Sequence, residues 1–289
     1  MTRPTVPSVV AELVSTAGYP FSSLGPVPPG SGWPGDPVAP GDPVPPVARS
    51  PAGVARLAAR ASLPLLEARV SVCSACPRLV SWREQVAREK RASYAGERYW
   101  GRPIAGWGDP EPKILIVGLA PAAHGANRTG RIFTGDRSGD WLFASLHRVG
   151  LANQPTSTHA ADGLRLVGAR LVAAVKCAPP QNQPTPAERD TCAPWIEREV
   201  RLLLPGLCAV VCLGAIGWDA ALRALASAGV PIPRPRPKFA HAAEVELSGP
   251  HPVTLLGCYH PSQQNTFTGR LTERMLDSVL GRAAELGSL

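Results

Sequence analysis

The stretch Lys113-Ile-Leu-Ile-Val-Gly-Leu-Ala-Pro121 decides the fold. A short, wholly apolar run opened by Lys113 and closed by Gly118 has the length and composition of a strand covered on both faces. Similar runs follow at Arg170–Lys176, Ala209–Leu213 and Val253–Cys258. Between them, apolar residues recur at helical spacing over Gly139–Val149, Ala187–Leu203 and Trp218–Ala228, and a last helix is predicted at Leu271–Leu286. Val54–Val70 and Leu79–Lys90, upstream, carry the same spacing. Strands alternating with amphipathic helices predict an α/β, three-layer sandwich: a central, mostly parallel four-stranded sheet flanked by helices. Ligands of such sheets bind outside the carboxyl ends of the strands.

Residues 21–50 are different, with nine Pro and five Gly. That composition cannot nucleate a helix, so residues 1–50 are expected to form an extended or flexible extension, with a short helix possible at Ser8–Ala17. One domain is expected over 51–289. A second Pro- and Arg-rich connector lies at Pro231–Lys238.

Thirty basic residues against twenty-two acidic ones give a net charge of +8 and a pI near 9.5. This favours polyanionic partners, since Lys and Arg release counterions from nucleic acid, although a solvated basic surface would give the same numbers. No apolar run is long enough to span a bilayer, and no secretory pattern opens the chain, so a cytoplasmic protein with no membrane partner is expected.

The strand ends carry the unusual residues. Gly118-Leu-Ala-Pro-Ala-Ala-His-Gly125 follows the first strand, Cys177-Ala-Pro-Pro180 the second and His260-Pro-Ser-Gln-Gln-Asn265 the fourth, so three polar loops converge on one edge. Gly118-Leu-Ala-Pro121 is a tight exit where backbone can approach a ligand, but neither a dinucleotide fingerprint nor a P-loop is present. Phe133, within the polar loop Arg131-Ile-Phe-Thr-Gly-Asp136, suits an exposed stacking platform. Asp136 reads as the N-cap of the next helix. The run from His260 to Arg270 suits phosphate contact beside one positioned imidazole.

Seven cysteines, odd in number and dispersed, do not form the framework of a small secreted domain. Cys73-Ser-Ala-Cys76 is a paired-thiol turn, and Cys177 and Cys192 are separated by fourteen residues. Four thiolates suit zinc or an iron–sulfur cluster, and spacing does not separate the two. Cys208, Cys212 and Cys258 lie in apolar strand sequence and read as small core residues.

Taken together, Cys73-x-x-Cys76, Gly118-Leu-Ala-Pro121, Thr129-Gly-Arg-Ile-Phe-Thr-Gly-Asp136, Val175-Lys-Cys-Ala-Pro-Pro180 with Cys192, and His260-Pro-Ser262 resemble the uracil-DNA glycosylase superfamily, in its iron–sulfur branch and there the family-five, type B enzymes. The likeness covers Pro51 to Leu286. It implies a four-iron, four-sulfur cluster (4Fe-4S) on Cys73, Cys76, Cys177 and Cys192, DNA containing a damaged base as partner, and a monomer. It also implies base excision repair by cleavage of the N-glycosidic bond. Two departures bear on substrate. The first loop has no acid, and Ala173 or Ala174 stands where related family-four enzymes place an Asn that reads the uracil edge. Both imply a range wider than uracil, including hypoxanthine and ethenocytosine.

On this reading the target nucleotide flips into a pocket. His260 stabilises the leaving base, and His124 and Asn127 position water. Ala120, Pro121, Phe133 and Asn265 contact the base, while Arg128, Arg131, Ser262, Gln263 and Arg270 contact DNA. Two other classes remain: a non-catalytic, metal-braced nucleic-acid-binding protein, and an iron–sulfur electron carrier that would leave the His260 loop unexplained.

Overall fold

Side-chain alternation along the strands builds the molecule's layers. In the computed structural model, which describes residues 25–289, six strands form one sheet: β1 (Trp107–Gly108), β2 (Ile114–Gly118), β3 (Ala169–Ala173), β4 (Ala209–Leu213), β5 (Glu244–Leu247) and β6 (Val253–Cys258). Their order is β1-β3-β2-β4-β6-β5. The inner four, β3, β2, β4 and β6, are parallel, and the outer two pair antiparallel. The inner four are the strands the sequence predicts. The two edge strands are additions: β1 has two residues, and β5 is largely polar, so neither carries the apolar signal of a buried strand.

Ile114, Ile116, Leu171, Ala173, Val211 and Leu256 face one layer, and Leu115, Val117, Val172, Val210 and Leu255 face the other. The first layer is covered by α5 (Arg137–Arg148) and α9 (Glu273–Gly287), the second by α6 (Pro186–Leu203) and α7 (Ala215–Ser227). This is a three-layer sandwich. The apolar run at Val54–Val70 breaks into α1 (Pro51–Ala58) and α2 (Leu63–Ser71), because Pro64 restarts the chain in the first turn of a new helix. With α3 (Pro77–Glu89) they enclose a third core against α6, containing Val54, Leu66, Leu79, Val175 and Trp195. Two short helices lie in the strand-end loops, α4 (Ala126–Thr129) and α8 (Gln263–Phe267).

Residues 25–50 contain no helix or strand but lie against the domain. Val27 and Val38 are buried, and the Trp33 indole N–H donates to the Thr129 carbonyl at 3.1 Å. A buried Asp36–Arg102 ion pair at 2.6 Å ties the segment down further. The helix expected at Ser8–Ala17 lies outside the described residues.

Among the described residues, no helix is long and apolar enough to cross a membrane.

Candidate active site

β2 occupies the middle of the sheet with β3 on one side and β4 on the other, so the chain reverses its winding beside it. The crevice at that reversal is where an open α/β sheet binds ligands. Gly118 ends β2 and lacks the side chain that would block this position: a Cβ there would lie 2.9 Å from Phe133 Cζ. The Phe133 ring therefore lies directly on the strand end. Its other neighbour is His260, with ring centroids 5.8 Å apart and planes inclined by 32°. Phe133 holds a left-handed backbone, φ 52°, a costly conformation for an aromatic residue and one that clusters at functional sites. The sequence predicts an exposed platform. Phe133 is instead 8% exposed and joins the core.

His260 follows β6 and is fixed through its backbone, whose carbonyl accepts from Asn265 Nδ2 at 2.9 Å. Ser262 caps α8 by accepting from the Asn265 N–H at 3.4 Å. Asn265 and Ser262 thus shape the loop that presents the imidazole. Among the described residues nothing hydrogen-bonds the His260 ring itself. Surrounding protein, removing water from the charged form, pulls its pKa down to about 4, so the imidazole is neutral at physiological pH. A neutral ring with free nitrogens can donate to an acceptor that gains negative charge.

Three expected site residues, Arg128, Arg131 and Asn127, have other work. Arg128 is buried and donates to the His124 carbonyl at 2.9 Å, to Glu97 at 2.5 Å and to the Gly135 carbonyl at 3.0 Å. Arg131 makes a forked pair with Asp162 at 2.9 and 2.7 Å and also holds Thr134 and Ser157. Neither guanidinium is free for phosphate; both shape the Phe133 loop. Asn127, expected to position water, is 1% exposed and points inward, its amide donating to the Arg83 carbonyl at 3.1 Å. His124 Nδ1 lies 3.0 Å from the Tyr99 hydroxyl, and burial, followed by Arg91 and Arg128, lowers its pKa. Polar sequence could not reveal these roles, because partners such as Glu97 and Asp162 lie in distant segments.

Of the first loop, Pro121 is buried, and Ala120 packs toward the cysteine-side core. Asp136 caps α5, accepting from the Gly139 N–H at 3.0 Å, as the sequence predicts. Gln263 and Arg270 are exposed, and Arg270 lies over the Tyr259 ring at 4.6 Å. Between them stands Phe267, 69% exposed, with the Arg137 guanidinium 5.5 Å from its ring. Phe267 is not among the residues that the sequence singles out. An aromatic in a run of Gln, Asn and Thr was its only signal.

Cys73, Cys76, Cys177 and Cys192 line one small cavity with Val54, Leu79, Val175 and Trp195. Cys76 caps α3 and Cys192 lies in α6, two helices joined by a forked Arg78–Glu188 pair at 2.8 and 2.7 Å. Among the described residues no three His, Cys, Asp or Glu side chains converge to hold one metal ion. The thiols surround a shared space instead, and N–H donors meet them. Arg83 Nη1 donates to Cys177 Sγ at 3.0 Å and the Lys176 N–H to Cys192 Sγ at 3.3 Å. The buried Trp195 indole N–H has no partner of its own among the described residues. Four soft donors around an apolar space, with N–H groups on the sulfurs, fit a polynuclear iron–sulfur group. Cys212 and Cys258 are buried in the sheet, apart from this cavity.

The site thus combines an α/β sheet, a neutral imidazole beside an aromatic ring at its central strand end, and a separate cavity lined by four thiols. Residues 105–283 match the family model described as Uracil DNA glycosylase superfamily, and the chain belongs to that superfamily. It is 56% identical over 264 residues to the type-5 uracil-DNA glycosylase of Mycobacterium tuberculosis, covering 91% of this chain and 96% of that one. It is 49% identical to the type-5 enzyme of Thermus thermophilus (76% of this chain, 96% of the other). To that of Pyrobaculum aerophilum it is 44% identical (75% and 89%).

Proposed function

We propose that this chain is a monofunctional DNA-repair glycosylase that excises uracil, and other deaminated or exocyclically modified bases such as hypoxanthine and ethenocytosine, from DNA. One observation carries the reading: a neutral, unpartnered His260 imidazole lies beside Phe133, whose ring occupies the space that Gly118 leaves at the strand end.

The flipped base packs against Phe133, and His260 donates to a base carbonyl. As the N-glycosidic bond breaks, its electrons pass to the base, and that hydrogen bond strengthens as charge builds on the acceptor. The first loop contains no carboxylate, so strong activation of water is not built in and leaving-group stabilisation supplies most of the acceleration. Water then captures the sugar cation and loses a proton to solvent. Of the two residues expected to position it, His124 retains that assignment, through its tie to Tyr99.

Phe267 acts as a wedge in the stack vacated by the flipped nucleotide, with Arg137, Gln263 and Arg270 near the phosphates. A 4Fe-4S cluster on Cys73, Cys76, Cys177 and Cys192 supplies structural bracing rather than reaction chemistry, since four protein thiolates leave no open position. The catalytic residues all come from 51–289 of one chain, which suits a monomer working in the cytoplasm, where thiols stay reduced.

The wide range rests on what the pocket lacks. A site rejects a wrong base chiefly by leaving buried polar groups unpaired, and here the strand-end position offers Ala173 instead of an amide. The test is single-turnover cleavage of duplexes each carrying one modified base. Cleavage of uracil together with hypoxanthine or ethenocytosine supports the proposal. Strict cleavage of uracil alone removes the wide range, and binding without cleavage of any of them removes the enzyme.

A further inference from the structure

The connector Pro231-Ile-Pro-Arg-Pro-Arg-Pro-Lys238 plays no part in the site described above. Pro at 233, 235 and 237 alternates with Arg234, Arg236 and Lys238. Proline fixes its own φ and pushes the residue before it into extended conformations. It also removes the N–H that a sheet or helix would need. The sequence thus prescribes a stiff ribbon outside the sheet and helices, and the chain bends within it at Arg234 and Pro235. All three basic residues are exposed.

The ribbon is held in place from beneath. The Trp218 indole donates to the Pro237 carbonyl at 3.0 Å, and the Phe239 ring meets Trp218 edge-on at 6.0 Å. Phe239 also contacts Tyr259 at 6.2 Å, Tyr259 lies under Arg270, and the next residue is His260. A continuous row therefore leads from the basic ribbon through Phe239 and Tyr259 to the reactive imidazole. Asp219 is the acid paired with the ribbon, reaching Arg236 at 3.4 Å. Among the described residues Arg234 and Lys238 have no ion-pair partner.

We infer that the Pro231–Lys238 ribbon is a second DNA-contacting surface, on which Arg234 and Lys238 grip backbone phosphates flanking the flipped nucleotide, beyond the reach of the His260 loop. This rests on the glycosylase reading. As phosphate contacts, Arg234 and Lys238 contribute to affinity and orientation, not to the choice of base. Preset backbone lowers the ordering cost of binding.

The test compares full-length wild type with R234Q/K238Q and with the charge-preserving R234K/K238R. Affinity for a uracil-containing duplex is measured by fluorescence anisotropy across a salt series, together with thermal melting. Losing two phosphate contacts should make the slope of log K against log salt shallower by about 1.8 and weaken binding about tenfold at moderate salt. R234K/K238R should bind like wild type, and both variants should melt like wild type. Unchanged affinity and slope in a folded R234Q/K238Q overturns the ribbon while leaving the glycosylase reading intact. So does a fall in the cleavage rate at saturating protein with affinity unaltered. Should R234Q/K238Q melt early, R234K/K238R binding ten times more weakly than wild type would overturn it equally. Wild type that neither binds nor cleaves the duplex would instead remove the glycosylase reading itself.

Discussion

Phe133 and His260 lie 5.8 Å apart, ring to ring, over a glycine at the end of the central strand, although 127 positions separate them in sequence. The pair exists because Gly118 yields its space. A Cβ at Gly118 would lie 2.9 Å from Phe133 Cζ, and Phe133, already at φ 52°, has little freedom to retreat. Gly118→Ala should push the ring out of line and reduce the single-turnover rate by about a hundredfold, the scale of a 1 Å misplacement. Rate and melting temperature are measured together. A folded variant with the wild-type rate would show that Phe133 does not position the base.

The depressed pKa of His260 fixes a pH dependence. Its folded value, about 4, lies below the ordinary value for an unfolded chain, so the unfolded state binds the proton more tightly. The stability this neutral burial contributes is complete above about pH 6.5 and is lost as pH falls toward about 4. His260→Gln removes that dependence, so the melting temperature of wild type should fall relative to the variant over this window. The wild-type rate should also show no inflection near the usual imidazole value of about 6.5. A rate that halves there would mean that His260 titrates normally and is not the neutral donor proposed.

The cysteine cavity makes a prediction readable without activity. Purified protein should be brown, with iron and sulfide in equal amounts, and Cys192→Ala should lose both colour and stability. Arg83→Ala removes the donor 3.0 Å from Cys177 Sγ and should speed the loss of iron on dilution into chelator. Cys212→Ala lies outside the cavity and should retain full iron content. Colourless, fully active protein with one zinc per chain would overturn the iron–sulfur assignment.

Strand alternation decides which alanine matters for substrate choice. Ala173 packs in the same layer as Phe133, whereas Ala174, one residue on, lines the cleft between α6 and α7. Ala173→Asn should therefore lower cleavage of hypoxanthine and ethenocytosine relative to uracil by about tenfold or more, through polar groups that only uracil satisfies. Ala174→Asn should leave the ratios alone. The same narrowing in both variants would mean that their effect is loosened packing rather than recognition.

The buried architecture was legible because its signal is local. Five apolar residues announce β2, and the convergence of the first and fourth strand-end loops follows from a parallel sheet alone. The edges were not legible: β1 is two residues long, and β5 reads Glu-Val-Glu-Leu with one buried position. Within the site, polarity misled at Arg128, Arg131 and Asn127. A charged loop residue looks free until the chain brings it a partner, and the partners Glu97, Asp162 and the Arg83 carbonyl lie 31, 31 and 44 positions away. Pro-rich composition predicts an extended or flexible segment but not its anchors: Trp33 and Asp36 secure it through one indole N–H and one buried ion pair. Contacts of that kind depend on where distant segments meet, and no local pattern encodes them.

The most direct test of the account is the single-turnover rate of uracil excision by His260→Ala, beside its affinity for the same duplex. Losing one hydrogen-bond donor to the departing base costs about 3 kcal/mol, or about a hundredfold in rate, while binding should stay within about twofold. A folded His260→Ala protein that excises uracil at the wild-type rate would contradict leaving-group stabilisation by this residue and leave His260 a structural part of its loop.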